Sequence, residues 1–274
     1  KGGYFVEIET DSDKHYEGSG VGRVQKLGAP PQICLSAGFS SHPSFVIDGK
    51  NSTALSLCSS CLNEWESEEM ETCGICAKKG CECEGMPERM QRAKCASFLK
   101  LVYYVPSKKT LVQNRLIYLI KRKNHDRAYA FLALRLSKMA EDLIKKENLA
   151  REDIVITYLP RTKRAHLQNG IDQAAELARR VAKKCQLQMQ PLLCRAKKGE
   201  EQKKLTPAER IRNARGSIDL RKDADPCNKV VFLIDDIVTT GNGMARCTKL
   251  LRHAKCQSVW AIAIASDVYN KDLH

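Results

Sequence analysis

The 274-residue chain has no apolar run approaching the roughly 20 residues that cross a bilayer, so no membrane-spanning helix is expected. It has no secretory signal pattern either. A cytoplasmic location is the expectation, with the natural start and any leader expected upstream because the chain opens on Lys1 and not Met. Aromatic residues are only 6% of the total and are not interleaved with the basic stretches, which argues against a dedicated base-stacking platform. No GxxxxGK[ST] occurs, so a Walker-type ATP site is excluded. The GSGVG at Gly18 is followed by no helical pattern and is not a nucleotide loop. Acid is scarce beside base: 46 Lys and Arg face 32 Asp and Glu, a net charge of +14. That excess suits a polyanionic ligand such as pyrophosphate, a nucleotide or a nucleic-acid strand, although single lysines read first as solvated helix faces.

What the chain does have is concentrated in Val230–Met244, VVFLIDDIVTTGNGM. Five apolar residues predict a buried strand, and the carboxylates of Asp235 and Asp236 are read as an acidic turn at its end. Thr239, Thr240, Gly241, Asn242 and Gly243 form a loop, and Met244, Ala245, Cys247, Leu250 and Leu251 recur at helical spacing. A strand–loop–helix unit aims backbone N–H groups and the helix dipole at one spot, which suits a phosphate. Threonine hydroxyls add donors, and glycines let the backbone come close. Carboxylates accept from vicinal sugar hydroxyls and hold hard cations. Phosphate at one end and diol at the other outline a ribose 5-phosphate. An ordinary buried strand with an acidic turn is the alternative.

Thirteen cysteines with no secretory signal read as metal ligands in a reducing compartment. Cys58-x2-Cys61, eleven residues, then Cys73-x2-Cys76 is zinc-site spacing, each pair turning a knuckle that supplies two thiolates. Cys81 or Cys83 is an alternative fourth ligand, and a disulfide scaffold is the alternative chemistry. The segment 58–90 is polar and acidic, so a metal would supply much of its folding energy. Residues 1–57 read as a β-rich extension of unknown role, with strands at Tyr4–Ile8 and Phe45–Ile47.

From residue 91 onward strands and helices alternate. Phe98–Val105 reads as a strand, Leu111–Lys123 and Ala128–Lys146 as amphipathic helices, and Asp153–Leu159 as a buried strand broken by Pro160. A basic loop follows, Arg161, Thr162, Lys163 and Arg164, and then a helix over Ile171–Lys184. The loop is a second anion site or a basic surface loop. Thr206–Arg215 opens like a capped helix, and basic residues between 203 and 215 read as a lid over the site. Ser258–Ala265 closes the pattern, which predicts an α/β fold with a doubly wound parallel sheet over 91–274.

The run FLIDDIVTTGNG resembles the motif by which type I phosphoribosyltransferases bind phosphoribosyl pyrophosphate (PRPP). That resemblance implies Asp235 and Asp236 as the catalytic pair on the ribose hydroxyls and Val238 to Gly243 around the 5-phosphate. It also implies Arg161, Thr162, Lys163 and Arg164 on the pyrophosphate, with a magnesium ion carried by the substrate. The order of parts is similar to the ComF family of competence-associated, phosphoribosyltransferase-like proteins. A cysteine region comes first, then Leu116–Lys123, YLPRTKRAHLQNGIDQAAELAR, QKKLTPAERIRNARGSI and the PRPP motif. Where that family shows Arg-Gly-Phe-Asn-Gln, this chain has Asn169-Gly170-Ile171-Asp172-Gln173. The resemblance implies either a magnesium-dependent transferase of nucleoside metabolism, or a non-catalytic PRPP and single-stranded DNA binder working with competence-machinery proteins in DNA uptake. In both cases a structural zinc on Cys58, Cys61, Cys73 and Cys76 is implied.

Overall fold

A computed structural model describes residues 35–37, 55–70, 86–161, 171–195 and 218–267. The elements in chain order begin with β1 (Leu35–Ala37), β2 (Leu55–Leu57), α1 (Ser59–Met70) and α2 (Glu88–Arg92). They continue with β3 (Ser97–Tyr104), α3 (Val112–Arg122), α4 (Asp126–Lys146), β4 (Ile154–Tyr158), α5 (Gln173–Cys185) and β5 (Gln188–Met189). The last are β6 (Leu193–Arg195), β7 (Ile218–Leu220), β8 (Val230–Val238), α6 (Asn242–His253) and β9 (Ser258–Asp267).

Five strands form one parallel sheet in the order β3-β9-β8-β4-β5. This is the doubly wound α/β architecture expected from the alternation of strands and helices. The register sets Tyr158 beside Ile234 and Val238 beside Ser266, so β8 and β9 run out together while β8 extends past the end of β4. Small antiparallel pairs, β1 with β2 and β6 with β7, lie outside this sheet.

β8 is central and buried on both faces, and its side chains alternate between two cores. Val230, Phe232 and Ile234 pack with Leu116, Ile120, Leu132 and Leu177 from α3, α4 and α5. Val231 and Leu233 pack with Met244, Cys247 and Leu251 of α6. The period of two that makes a strand therefore also assigns each residue to a face.

The helix ends follow their sequences. Asp172 caps α5 by accepting from Ala175 N at 3.2 Å, and Lys183 and Lys184 close its last turn. α4 starts at Asp126 and ends on Lys145 and Lys146, charges that match the helix dipole at each end.

Two differences from the sequence reading bear on function. The strand does not stop before the carboxylates: β8 continues through Asp235 and Asp236 to Val238. Ladder pairing with β9 on one side holds Asp235, Ile237 and Val238 extended, so no acidic turn forms there. In addition, Cys58 and Cys61 do not lie on an isolated knuckle. They open the 12-residue helix α1, because Cys61 and Trp65, four apart, share a face buried against the main core. Trp65 is fully buried and meets Phe131 of α4 edge-on, with ring centroids 5.2 Å apart. Cys73, Cys76, Cys81, Cys83, the strands expected at Tyr4–Ile8 and Phe45–Ile47, the GSGVG at Gly18 and the stretch 203–215 lie outside the described residues. Among the described residues no helix is long and apolar enough to cross a membrane.

Candidate functional site

The chain reverses its direction of winding between β4 and β8. From β4 it passes through α5 to the outer strand β5; from β8 it passes through α6 to β9 on the other side. Neighbouring connections therefore leave in opposite directions, and a crevice opens at the C-terminal ends of these two strands, where open parallel sheets take their ligands. Asp235 and Asp236 lie in the last four residues of β8, and Arg161 follows β4. The structure brings these three sequence-predicted residues together.

Adjacent positions on a strand face opposite ways, and the two carboxylates have opposite surroundings. Asp236 continues the Phe232–Ile234 face. Its Oδ2 pairs with Arg161 Nη2 and lies 3.4 Å from Lys121 Nζ of α3, and its Oδ1 accepts from the amide of Ile237 at 2.8 Å. Burial alone would raise its pKa, but Lys121 and Arg161 hold the carboxyl below the ordinary carboxylate range. Asp235 continues the Val231–Leu233 face, toward α6. Its Oδ1 accepts from the amide of Asp236 at 2.8 Å. Burial, and then the charge of Asp236 beside it, push the Asp235 carboxyl well above its usual range. The same isolation, with Asp235 nearby, pushes the Cys247 thiol of α6 up to about 12. The two carboxyls are thus pushed apart: Asp236 favours its charged form, and Asp235 holds a proton more tightly than an ordinary aspartate does.

The strand β4 side is fastened by Asp172 and Arg195. Asp172 Oδ2 accepts from Arg161 N at 3.2 Å while its other oxygen caps α5. Arg195 Nε donates to the Pro160 carbonyl at 2.8 Å. Thr162, Lys163 and Arg164, the rest of the expected pyrophosphate loop, lie outside the described residues.

Beyond Val238 the chain turns into α6. Thr239, Thr240 and Asn242 are exposed, and Thr240 Oγ1 accepts from Asn242 N at 3.4 Å. Gly241 has φ +69°, a left-handed conformation that L side chains resist. Its missing Cβ would stand 2.9 Å from Pro87 Cβ, and one on Gly243 would stand 2.7 Å from Leu159 Cδ1. Both glycines are therefore favoured by contacts within the protein, Gly241 the more strongly, a reason separate from the ligand approach that the sequence suggests. The first-turn amides of α6 point out of this loop with the positive end of the dipole, as an anion site needs. Arg89 of α2 is beside it, donating from Nη1 to Asn242 Oδ1 at 2.5 Å.

Sequence reasoning missed Lys121, Arg89 and the fastening role of Asp172. Lys121 had a signal. It stands four residues after Ile117 and one after Ile120, both buried, so it lies on the inward stripe of α3. Arg89 had none, since five-residue α2 shows no period of its own.

Cys61 is buried on α1 and its Sγ accepts from Arg115 Nη2 at 3.7 Å. Among the described residues no group of three or more His, Cys, Asp or Glu is placed to hold a metal ion.

The fold has solved relatives at low identity. A phosphoribosylpyrophosphate synthetase from Mycobacterium smegmatis is 19% identical, with 48% of this chain and 33% of that one covered and a TM-score of 0.31. The glutamine PRPP amidotransferase of B. subtilis, complexed with ADP and GMP, is 16% identical over 55% of this chain and 30% of that one, TM-score 0.36. A hypoxanthine-guanine phosphoribosyltransferase from Bacillus anthracis is 10% identical over 52% and 73%, TM-score 0.36. The chain spans about a third of the length of the first two. No family model matches the chain. No curated protein matches it in sequence. The functional reading rests on the geometry of the site and not on these likenesses.

Proposed function

We propose that the crevice binds PRPP and that the chain transfers its phosphoribosyl group to a nitrogen acceptor, releasing pyrophosphate. One observation carries this reading: two adjacent buried carboxylates lie near the C-terminal end of a central strand at the sheet's switch point, a few residues before a glycine-turned helix N-terminus. In the proposed complex the 5-phosphate lies on the Thr239–Gly243 loop and the ribose hydroxyls on Asp235 and Asp236. The pyrophosphate takes the basic groups after β4, Arg161 and Lys163 among them. Magnesium fits here as a passenger of the substrate, because Asp236 already carries two cations on one oxygen. When bound, the ion would neutralise charge on the leaving pyrophosphate. The bond from the anomeric carbon to pyrophosphate oxygen breaks as the bond to the acceptor nitrogen forms, through a cation-like sugar. Positioning and charge neutralisation are what the residues of this site contribute.

Incubation with PRPP, magnesium and a panel of nitrogenous acceptors, followed by pyrophosphate release, tests the reading. Release that disappears in the Asp235→Asn, Asp236→Asn double variant supports it. Absence of PRPP binding by calorimetry overturns it; binding without release under any acceptor favours the non-catalytic form.

The motif resemblance supports a ComF-like setting beside DNA uptake, and the net charge of +14 supports single-stranded DNA as a polyanionic partner. A structural zinc on Cys58, Cys61, Cys73 and Cys76 belongs to the same proposal. Its support is the spacing of the four cysteines and the placing of Cys58 and Cys61 together at the head of α1. Metal content near zero in protein purified without chelators removes that part.

A further inference from the structure

Two cations share one carboxylate oxygen: Lys121 and Arg161 both lie on Asp236 Oδ2. Holding both there, near the end of a buried strand, costs desolvation energy, and an arriving anion could draw one of them away.

The two cations are held differently. Lys121 sits in the last turn of α3, which packs along the core through Leu116, Ile117 and Ile120. α3 is tied at its start by Glu64, which accepts from Val112 N at 2.7 Å, and by Asn114, which donates to the carbonyls of Val105 and Lys108 at 2.6 and 2.8 Å. Arg161 follows the last residues of β4, and Asp172 holds it through its backbone N–H, so a change of side-chain partner leaves the backbone in place. The chemistry differs in the same sense. An ammonium is a compact point charge, whereas a guanidinium offers a planar fork that matches phosphate oxygens.

The other charged and titratable groups near Asp236 are committed elsewhere. Tyr129 of α4 donates its hydroxyl to the Ile120 carbonyl at 3.3 Å, and burial, then the charge of Glu176, holds its proton above the ordinary range. Arg180 of α5 lies over the Tyr129 ring and pairs with Glu176 and Asp126. Arg195 donates to Pro160.

We propose that Lys121 is the resident counter-ion of Asp236 and Arg161 the exchangeable one. On ligand binding Arg161 moves to the ligand's pyrophosphate, while Lys121 keeps Asp236 charged and aimed at the sugar hydroxyls. This rests on the phosphoribosyl reading and adds to it a positioning residue from outside the PRPP motif. No bond is made or broken in the exchange; one ion pair replaces another.

The test uses the full chain and two readouts. In the ligand-free protein, carboxyl carbon NMR, assigned with D235N and D236N, follows Asp236 against pH. Lys121→Met raises its midpoint by about 1 pH unit or more, and Lys121→Arg restores it. With ligand, calorimetry compares ribose 5-phosphate, which lacks pyrophosphate, with PRPP and magnesium. Lys121→Met weakens both by about tenfold or more, increasingly as pH falls, and Lys121→Arg recovers most of the loss. Arg161→Met weakens PRPP but leaves ribose 5-phosphate within about threefold of wild type. Equal loss of both ligands in Arg161→Met, or an Asp236 midpoint unmoved in Lys121→Met, overturns the assignment. A wild type that binds neither sugar phosphate overturns the phosphoribosyl reading and the exchange with it, while the carboxyl titration still decides whether Lys121 holds Asp236.

Discussion

Gly243 lies against Leu159 so closely that a Cβ at 243 would meet Leu159 Cδ1 at 2.7 Å. The loop after β8 is thereby pressed onto the end of β4, and the two halves of the crevice are held at one spacing. Gly241 is pressed onto Pro87 and Met90, at the start of α2 and within it, and has positive φ as well. The two glycines should respond differently to alanine. Gly243→Ala meets the end of a leucine side chain, which can rotate away. Gly241→Ala meets a rigid proline ring and a strained backbone. Gly241→Ala should cost about 2–4 kcal/mol of unfolding free energy and Gly243→Ala about 1 kcal/mol. Denaturant unfolding of both variants checks the order; equal costs would refute the packing account.

The carboxylates should separate stability from function. Asp235 has a folded pKa above its ordinary value of 3.8, so the folded state holds the proton more tightly than the unfolded chain. That contribution is complete below the ordinary value and is lost as pH rises through the folded one. Asp235→Asn mimics the protonated form and keeps the contribution at neutral pH. Its thermal midpoint at pH 7 should exceed wild type, by about 2–4 °C for each kcal/mol regained, while PRPP binding falls. A lower midpoint would show that the fold does not raise the Asp235 pKa.

Asp236→Asn should do the reverse. Asp236 is held below its ordinary value, so its contribution is present above that value and lost as pH falls through the folded one. Without its charge, Lys121 and Arg161 are left facing each other, at a cost of about 1–3 kcal/mol at pH 7. The deficit relative to wild type should shrink in acid, which thermal melts across pH would reveal; a deficit independent of pH would point to packing instead.

Ligand binding should release a proton. The Asp235 carboxyl is held well above its usual range by burial and the charge of Asp236, whereas sugar hydroxyls together with a divalent cation favour the charged carboxylate. Calorimetry with PRPP and magnesium in two buffers of different ionisation enthalpy should give apparent enthalpies that differ by up to about one proton's worth. Identical enthalpies would exclude the protonated form.

Much of this was legible in the sequence, and the reasons can be named. The run VVFLI before Asp235 announces a buried strand because no charge interrupts it. The alternation of such runs with the stripes of α4 and α5 announces a parallel sheet. The fate of Asp235 and Asp236 was less legible. Read as the first polar residues after an apolar run, they suggest a turn; ladder pairing with β9 keeps them extended and sends them to opposite faces. Lys121, among Lys121-Arg122-Lys123, looks like a basic helix end. Only the helical phase relative to Ile117 separates the lysine that faces inward from its exposed neighbours. Arg161 was assigned to pyrophosphate from its loop, but its partner in the empty site is a carboxylate 75 residues away. No local pattern encodes that pairing.

Helix α1 has a consequence for experiments on the cysteine region. Trp65 fills a socket beside Phe131, and Glu64 anchors both the start of α3 and Arg115. Trp65→Ala should therefore cost about 3–5 kcal/mol, read by denaturant unfolding, and a cost near zero would show that α1 is a detachable appendage. The same rod that Glu64 holds at one end presents an ammonium to the crevice at the other. Damage to the thiols at the head of α1 should thus be felt, across the length of one short helix, as a misplaced charge where the sugar would lie.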